Sequence, residues 1–198
     1  LHKYFMRGSN AEIHKWLHYF DIYERHLERF RGKAPTMIEI GVQNGGSLKM
    51  WKNYFGEGSQ IIGIDINPIC KEFEEDDIEI FIGEQSDPKI INEIFKKYPN
   101  IDILLDDGSH LMEDMNKSFA LIYEKLSSNG IYIVEDVHTC YDKNHNGGIY
   151  KENSFMEFSK RKLDELNAGF IFTDESDSQS RAGEPTTQFT CSTNSVIF

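Results

Sequence analysis

Cysteine is scarce in this chain. Cys70, Cys140 and Cys191 are odd in number and far apart, with no C-x-x-C pair. That excludes a zinc ribbon and argues against a disulfide scaffold, since both need paired thiols. Positive charge is also short: 21 Lys and Arg face 33 Asp and Glu, a formal charge of −12. Phosphate-rich partners need concentrated positive charge, so nucleic acid and anionic membranes are disfavoured. No apolar run approaches the roughly 20 residues of a membrane span. Leu1-His2-Lys3-Tyr4 carries no apolar signal core. The expectation is a cytoplasmic protein that does not bind membranes. Its 198 residues allow one domain with a decorating segment and a core that needs no staples.

What is present is a change of period. Ile13, Trp16, Leu17, Phe20, Tyr23, Leu27 and Phe30 recur at steps of three and four, which predicts one apolar helical stripe. Gly32 and Pro35 end it. From Met37 onward short isoleucine-rich runs take over: 37–40, 61–64, 78–82, 101–105 and 131–134. Such runs suit strands buried on both faces of a parallel sheet. Helical segments are expected over 47–54, 88–98, 112–126 and 154–166, with a weaker turn of helix over 68–77. Strand and helix in alternation mean an α/β fold with right-handed crossovers. Residues 140–148 and 173–185 read as loops, and 186–198 as a C-terminal antiparallel hairpin on the sheet edge. The expected organisation is a helical lid or extension over 1–34 and a catalytic domain over 35–198.

In an open parallel sheet, ligands bind beyond the carboxyl ends of the strands. Here every expected strand end carries Gly, acid or amide residues. The first gives Gly41-Val42-Gln43-Asn44-Gly45-Gly46-Ser47, the second Asp65-Ile66-Asn67, and the third Gly83-Glu84-Gln85-Ser86-Asp87. The fourth gives Asp106-Asp107-Gly108-Ser109-His110, and the fifth Glu135-Asp136-Val137-His138. Glycines in the first loop allow a tight turn and close backbone approach, ahead of a helix whose free N–H groups hold an anion. Gln43 stands where a dinucleotide fold wants its second glycine, so a nucleoside without a diphosphate fits better. Asp65 is suited to accept both hydrogens of a ribose diol.

Ile38-Glu39-Ile40-Gly41, Gly63-Ile64-Asp65-Ile66 and Ile103-Leu104-Leu105-Asp106-Asp107-Gly108 resemble the successive loops of class I S-adenosylmethionine-dependent methyltransferases. Glu39 through Ser47, Asp107-Gly108-Ser109-His110 and Glu135-Asp136 more narrowly resemble the metal-dependent sugar O-methyltransferases of antibiotic biosynthesis. The resemblance covers roughly 36–141 and implies a Rossmann-like methyltransferase fold with helices on both faces. It implies that Glu39, Gly41 and the Gly45-Gly46 turn hold the methionine part of S-adenosyl-L-methionine, with Gln43 and Ser47 also among the cofactor-binding residues. Asp65 would hold the ribose and Ile66 the adenine, with Gln85, Ser86 and Asp87 at the adenine rim. Asp106 would touch the cofactor or brace its loop. Asp107, Glu135 and Asp136 would bind a divalent metal, and His110 would be the general base.

Elementary chemistry agrees with that assignment. Carboxylates converging at neighbouring strand ends repel unless a cation joins them or some stay protonated. All-oxygen ligands favour a hard ion, Mg²⁺ first. A histidine with a pKa near 6.5 can take a hydroxyl proton near neutrality. The reading is methyl transfer to a hydroxyl of a small acceptor, a sugar or related metabolite, with a homo-oligomer left open. The competing readings are a nicotinamide oxidoreductase, against which Gln43 argues, and a cofactor-binding protein without catalysis. An iron-dependent hydroxylase would need two His and one carboxylate, for which His110 and His138 are available. Cys140 lacks a base placed by sequence and reads as inert. Lys15, His18, Tyr19 and Tyr23 are lid candidates, with a simply packed helix the equal alternative.

Overall fold

The computed structural model describes residues 1–7 and 12–167, together with Phe189, Thr193, Ser195 and Val196. Most of the expected terminal hairpin and the 173–185 loop lie outside the described residues. The strands are β1 (Thr36–Ile40), β2 (Gln60–Asp65), β3 (Ile78–Ile82), β4 (Ile101–Asp106) and β5 (Leu126–Val134). They form one sheet in the order β3-β2-β1-β4-β5. Every pairing is parallel. The helices are α1 (His2–Arg7), α2 (Tyr19–Leu27), α3 (Gly46–Phe55), α4 (Pro88–Lys97), α5 (Met112–Ile122) and α6 (Phe155–Leu166). Residues 68–73 form a 3₁₀ turn where weak helix was expected.

The isoleucine runs explain the two-sided core. Met37, Ile61, Ile103 and Leu105 enter one apolar cluster with Phe20, Tyr23 and Leu27 of α2 and Leu48, Met50, Trp51 and Phe55 of α3. Ile38, Ile40, Ile62, Ile64 and Leu104 enter another with Ile91 and Ile94 of α4 and Ile122 of α5. Successive strand residues point to opposite faces, so unbroken apolar runs fill both cores. Each fully buried Ile or Leu adds about 1.5–3 kcal/mol.

The chain divides into two compact units. The first, 1–110 with 117–136, holds the whole sheet. The second comprises 111–116 and the chain from Val137 onward. In the second unit the stretch expected as a flexible loop is two 3₁₀ turns, Val137–Tyr141 and Lys143–His145. Asp142 caps the latter by accepting from the Asn144 amide. Ser154 caps α6 by accepting from the Glu157 amide. His138 and Cys140 lie in the first of these turns. Cys140 is buried, and burial holds its thiol above the ordinary range. That environment fits the inert reading.

The N-terminal stripe is shorter than its spacing predicts. Phe20, Tyr23 and Leu27 are buried on α2. Residues 12–16 are not helical, and Trp16 and Leu17 are 57% and 61% exposed. The physical reason is polar: Lys15 is drawn into the carboxylates at the sheet edge.

Candidate active site

The strand order reverses between β1 and β4, and a crevice opens at such a switch point. Glu39 and Gly41 come from the β1 end, Asp106 and Asp107 from the β4 end. Gly41 has φ +94°, and a Cβ there would lie 2.1 Å from the Asp107 carbonyl oxygen. Only glycine lets the two loops approach this closely. Gly45, at φ +70° before α3, would put a Cβ 2.6 Å from the Phe73 ring. Gln43, His110 and Asp136 also have φ between 51° and 56°. Non-glycine residues in that region are uncommon and gather at functional sites.

Asp65 turns its carboxylate toward the first loop. Its Oδ2 accepts from the amides of Val42 and Gln43 at 2.8 and 3.0 Å, and Oδ1 from the Asn67 amide at 2.8 Å. Ile66 beside it is 69% exposed, an apolar surface without cover. Asp87 caps α4 by accepting from the Lys89 amide at 2.8 Å. Ser86 is half-buried. Gln85 is buried, and its amide ties three elements together. Its Nε2 donates to Asp106 Oδ1 at 3.1 Å and to Ser118 Oγ at 3.0 Å. Its Oε1 accepts from the Ser109 amide at 2.8 Å. Burial pushes the Asp106 carboxyl up to about 7, against donors from Gly108, Gln85 and Tyr132. Asp106 therefore braces its loop in this structure.

The remaining acids converge around one ammonium. Lys15 Nζ lies 2.7 Å from Asp107 Oδ2, 2.9 Å from Glu135 Oε1 and 3.1 Å from Glu39 Oε1. The lysine side chain is 1% exposed. Burial favours its neutral form, but Glu39, Glu135 and Asp107 outweigh that and hold its pKa above the usual lysine value. Glu39 is fully buried, and Ser47 Oγ donates to its Oε2 at 2.8 Å. Its Oε1 has ion-pair contact but no aligned hydrogen bond. Burial raises Glu39 above the usual carboxylate range, with Lys15 and Ser47 opposing. Burial likewise pushes Glu135 up to about 7, with Lys15 opposing. Tyr23 donates its hydroxyl to Glu135 Oε1. Asp136 Oδ1 accepts from Trp16 Nε1 at 3.1 Å and from the Tyr19 hydroxyl at 2.8 Å.

His110 Nε2 stands 3.6 Å from Asp107 Oδ1 and 3.8 Å from Asp136 Oδ2. Asp107, His110 and Asp136 each bring one ligand atom within 4.8 Å of the other two. This is a donor set for a hard cation with an imidazole at its side. Glu135 is turned toward Lys15 and Tyr23 instead.

A 2'-O-methyltransferase of 8-demethyl-8-alpha-L-rhamnosyl tetracenomycin-C from Streptomyces olivaceus is 34% identical over 181 residues, 86% of this chain and 46% of that protein. Demethylmacrocin O-methyltransferase of Streptomyces fradiae is 36% identical over 137 residues, 64% of this chain and 34% of that protein. The chain is a relative of these sugar O-methyltransferases. MycE methyltransferase, solved with Mg, SAH and mycinamycin VI, matches with a TM-score of 0.74 and 29% identity, over 81% of this chain and 44% of that one. Its sheet and that of this relative share the Rossmann-like methyltransferase fold. The chain spans less than half the length of each of these proteins. No protein-family model matches it.

The strand pattern puts Glu39, Asp107 and Glu135 at strand ends, and the structure gathers all three around one ammonium. The strand pattern carries no sign of that ammonium. Lys15 stood only among the lid candidates, and its insertion among Glu39, Asp107 and Glu135 is new from the structure. The available signal was the charge itself, since buried acids need a cation from somewhere. Among the described residues no helix is long and apolar enough to cross a membrane.

Proposed function

We propose that this chain carries the catalytic part of an S-adenosylmethionine-dependent O-methyltransferase that modifies a hydroxyl of a sugar-bearing acceptor, with Mg²⁺ assistance. The observation that carries the reading is the convergence of Asp107, His110 and Asp136 at the β4 and β5 ends. Its support from relatives is that they are named sugar O-methyltransferases and that MycE was solved with Mg and SAH. The acceptor class, a small hydroxylated sugar compound, follows the names of those relatives. A cytoplasmic setting belongs to the same proposal and rests on the composition.

The residues present fit both groups. A cation already stands among the oxygens of Asp107, Glu135 and Glu39, in the form of the Lys15 ammonium. Asp107, Glu135 and Asp136 would hold the ion, which when bound offsets their charge and lowers the pKa of an acceptor hydroxyl. The nucleoside cofactor supplies a methyl group on a sulfonium. Glu39 Oε1, buried without an aligned hydrogen bond, is suited to its α-ammonium. Gly41 and Gly45 let the first loop pack against the Asp107 carbonyl and the Phe73 ring, which fixes the turn that leads into α3. Asp65 keeps lone pairs for a ribose diol while it fixes the Val42 and Gln43 amides. Ile66 offers an apolar face for adenine. His110 takes the acceptor's hydroxyl proton at Nε2, which stands beside Asp107 and Asp136.

Calorimetry with S-adenosylhomocysteine, with and without Mg²⁺, tests this. Binding of the nucleoside, no binding of NAD, and Mg²⁺-dependent methylation of a deoxysugar glycoside are expected. Absence of heat with S-adenosylhomocysteine would sink the reading.

A further inference from the structure

The N-terminal segment 12–18 is held to the sheet edge by polar contacts more than by apolar burial. Lys15 is 1% exposed at its side chain, whereas Trp16 and Leu17 beside it are 57% and 61% exposed. Ile13 is half-buried and packs against the core. Lys15, Trp16, Tyr19 and Tyr23 between them reach all of Asp107, Glu135 and Asp136. These are the carboxylates assigned to the divalent ion. A segment that leaves an indole and a leucine in water, yet buries an ammonium, is positioned by the charge of the cluster.

We propose that segment 12–18 is a cation-responsive strap, in which the Lys15 ammonium and a divalent ion are alternative occupants of the carboxylate cluster. This rests on the functional reading above, which assigns an ion to Asp107, Glu135 and Asp136. Asp107 Oδ2 and Glu135 Oε1 already hold the lysine at 2.7 and 2.9 Å. Two cations at such distances repel strongly in a site shielded from water. An ion that takes these oxygens therefore expels Lys15. An ion that also takes Asp136 competes with the donors Trp16 Nε1 and Tyr19 hydroxyl on the same carboxylate. Little apolar burial opposes the departure of 12–18. Release also uncovers Glu39 Oε1, the oxygen suited to the cofactor's ammonium. One ammonium of the chain thus offsets part of the cluster's charge until an ion takes its place, and ion loading opens the strap.

Titration calorimetry with MgCl₂ on wild type and Lys15→Met tests the exchange. Hydrogen exchange of peptides covering 12–18, in wild type alone, follows the strap without relying on the variant's fold. Lys15→Met is expected to bind Mg²⁺ at least about tenfold tighter, since no ammonium has to leave. In wild type, Mg²⁺ is expected to speed exchange over 12–18. Equal or weaker Mg²⁺ binding by a folded Lys15→Met overturns the strap and leaves the metal reading standing. So does unchanged or slower exchange in Mg²⁺-bound wild type. No Mg²⁺ binding by either protein overturns the metal reading and the strap with it.

Discussion

Gly41 and Asp107 are packed backbone to backbone: a Cβ on Gly41 would sit 2.1 Å from the Asp107 carbonyl oxygen. The close approach joins the end of β1 to the end of β4, the two strands that flank the switch point. Glu39 and Asp107 face one ammonium because these backbones touch.

Gly41→Ala should therefore cost more than conformational strain. The residue's φ of +94° is unfavourable for alanine, and the clash is with backbone, which cannot rotate away. A loss of about 3 kcal/mol in urea unfolding is expected, together with weaker nucleoside binding. Gly32, at φ +67° with nothing within 4 Å of where a Cβ would stand, supplies the control. Gly32→Ala should lose only about 1–2 kcal/mol, the strain alone. Equal losses would show that the close contact does not matter.

Gln85 joins the β3 end to the Asp106–Ser109 loop and to Ser118. Gln85→Leu would leave the buried Asp106 carboxyl and the Ser109 amide without these partners. About 2–4 kcal/mol of stability should go, since an unsatisfied buried polar group forfeits its solvation. Chemical denaturation measures it. A change within the few tenths typical of a surface site would show that water replaces the amide.

The fold was largely legible because it depends on local pattern. Runs such as Ile61-Ile62 and Ile103-Leu104 feed two opposite cores, and that requires no knowledge of distant residues. The acids of the site were legible for the same reason, since each ends a strand. Their partners were not. Lys15 meets Glu135 across 120 residues of sequence, and Trp16 meets Asp136 across the same separation. Periodicity placed Trp16 and Leu17 on a buried helical stripe, but charge neutralisation pulled Lys15 inward and left them exposed. The role of Gln85 as a brace was also hidden, because an amide at a strand end looks the same whether it faces a ligand or a neighbouring loop.

Asp106 gives a pH signature of definite sign. Burial raises its folded pKa to about 7 from an ordinary 3.8. The folded state then keeps a proton that the unfolded chain loses, so this group's contribution is full below pH 4 and falls as pH rises toward 7. Asp106→Asn removes the titration and keeps the shape. The variant should gain relative to wild type between pH 5 and 8, by on the order of a few kcal/mol at the upper end. Unfolding curves at pH 5 and 8 decide it. A constant difference between the two proteins would mean that Asp106 stays ionised in the fold.

His110 can be separated from its neighbours by kinetics. If its Nε2 removes the acceptor proton, His110→Ala should lower methyl transfer by about 10²–10⁴ while S-adenosylhomocysteine still binds. The imidazole lies 3.6 and 3.8 Å from Asp107 and Asp136, so His110→Ala removes a polar neighbour of both carboxylates as well as a base. His110→Gln distinguishes the two, because glutamine retains hydrogen bonding but cannot act as a base near neutrality. Loss of turnover in both variants, with nucleoside binding intact, assigns the proton to His110. Wild-type turnover in His110→Gln would assign it elsewhere.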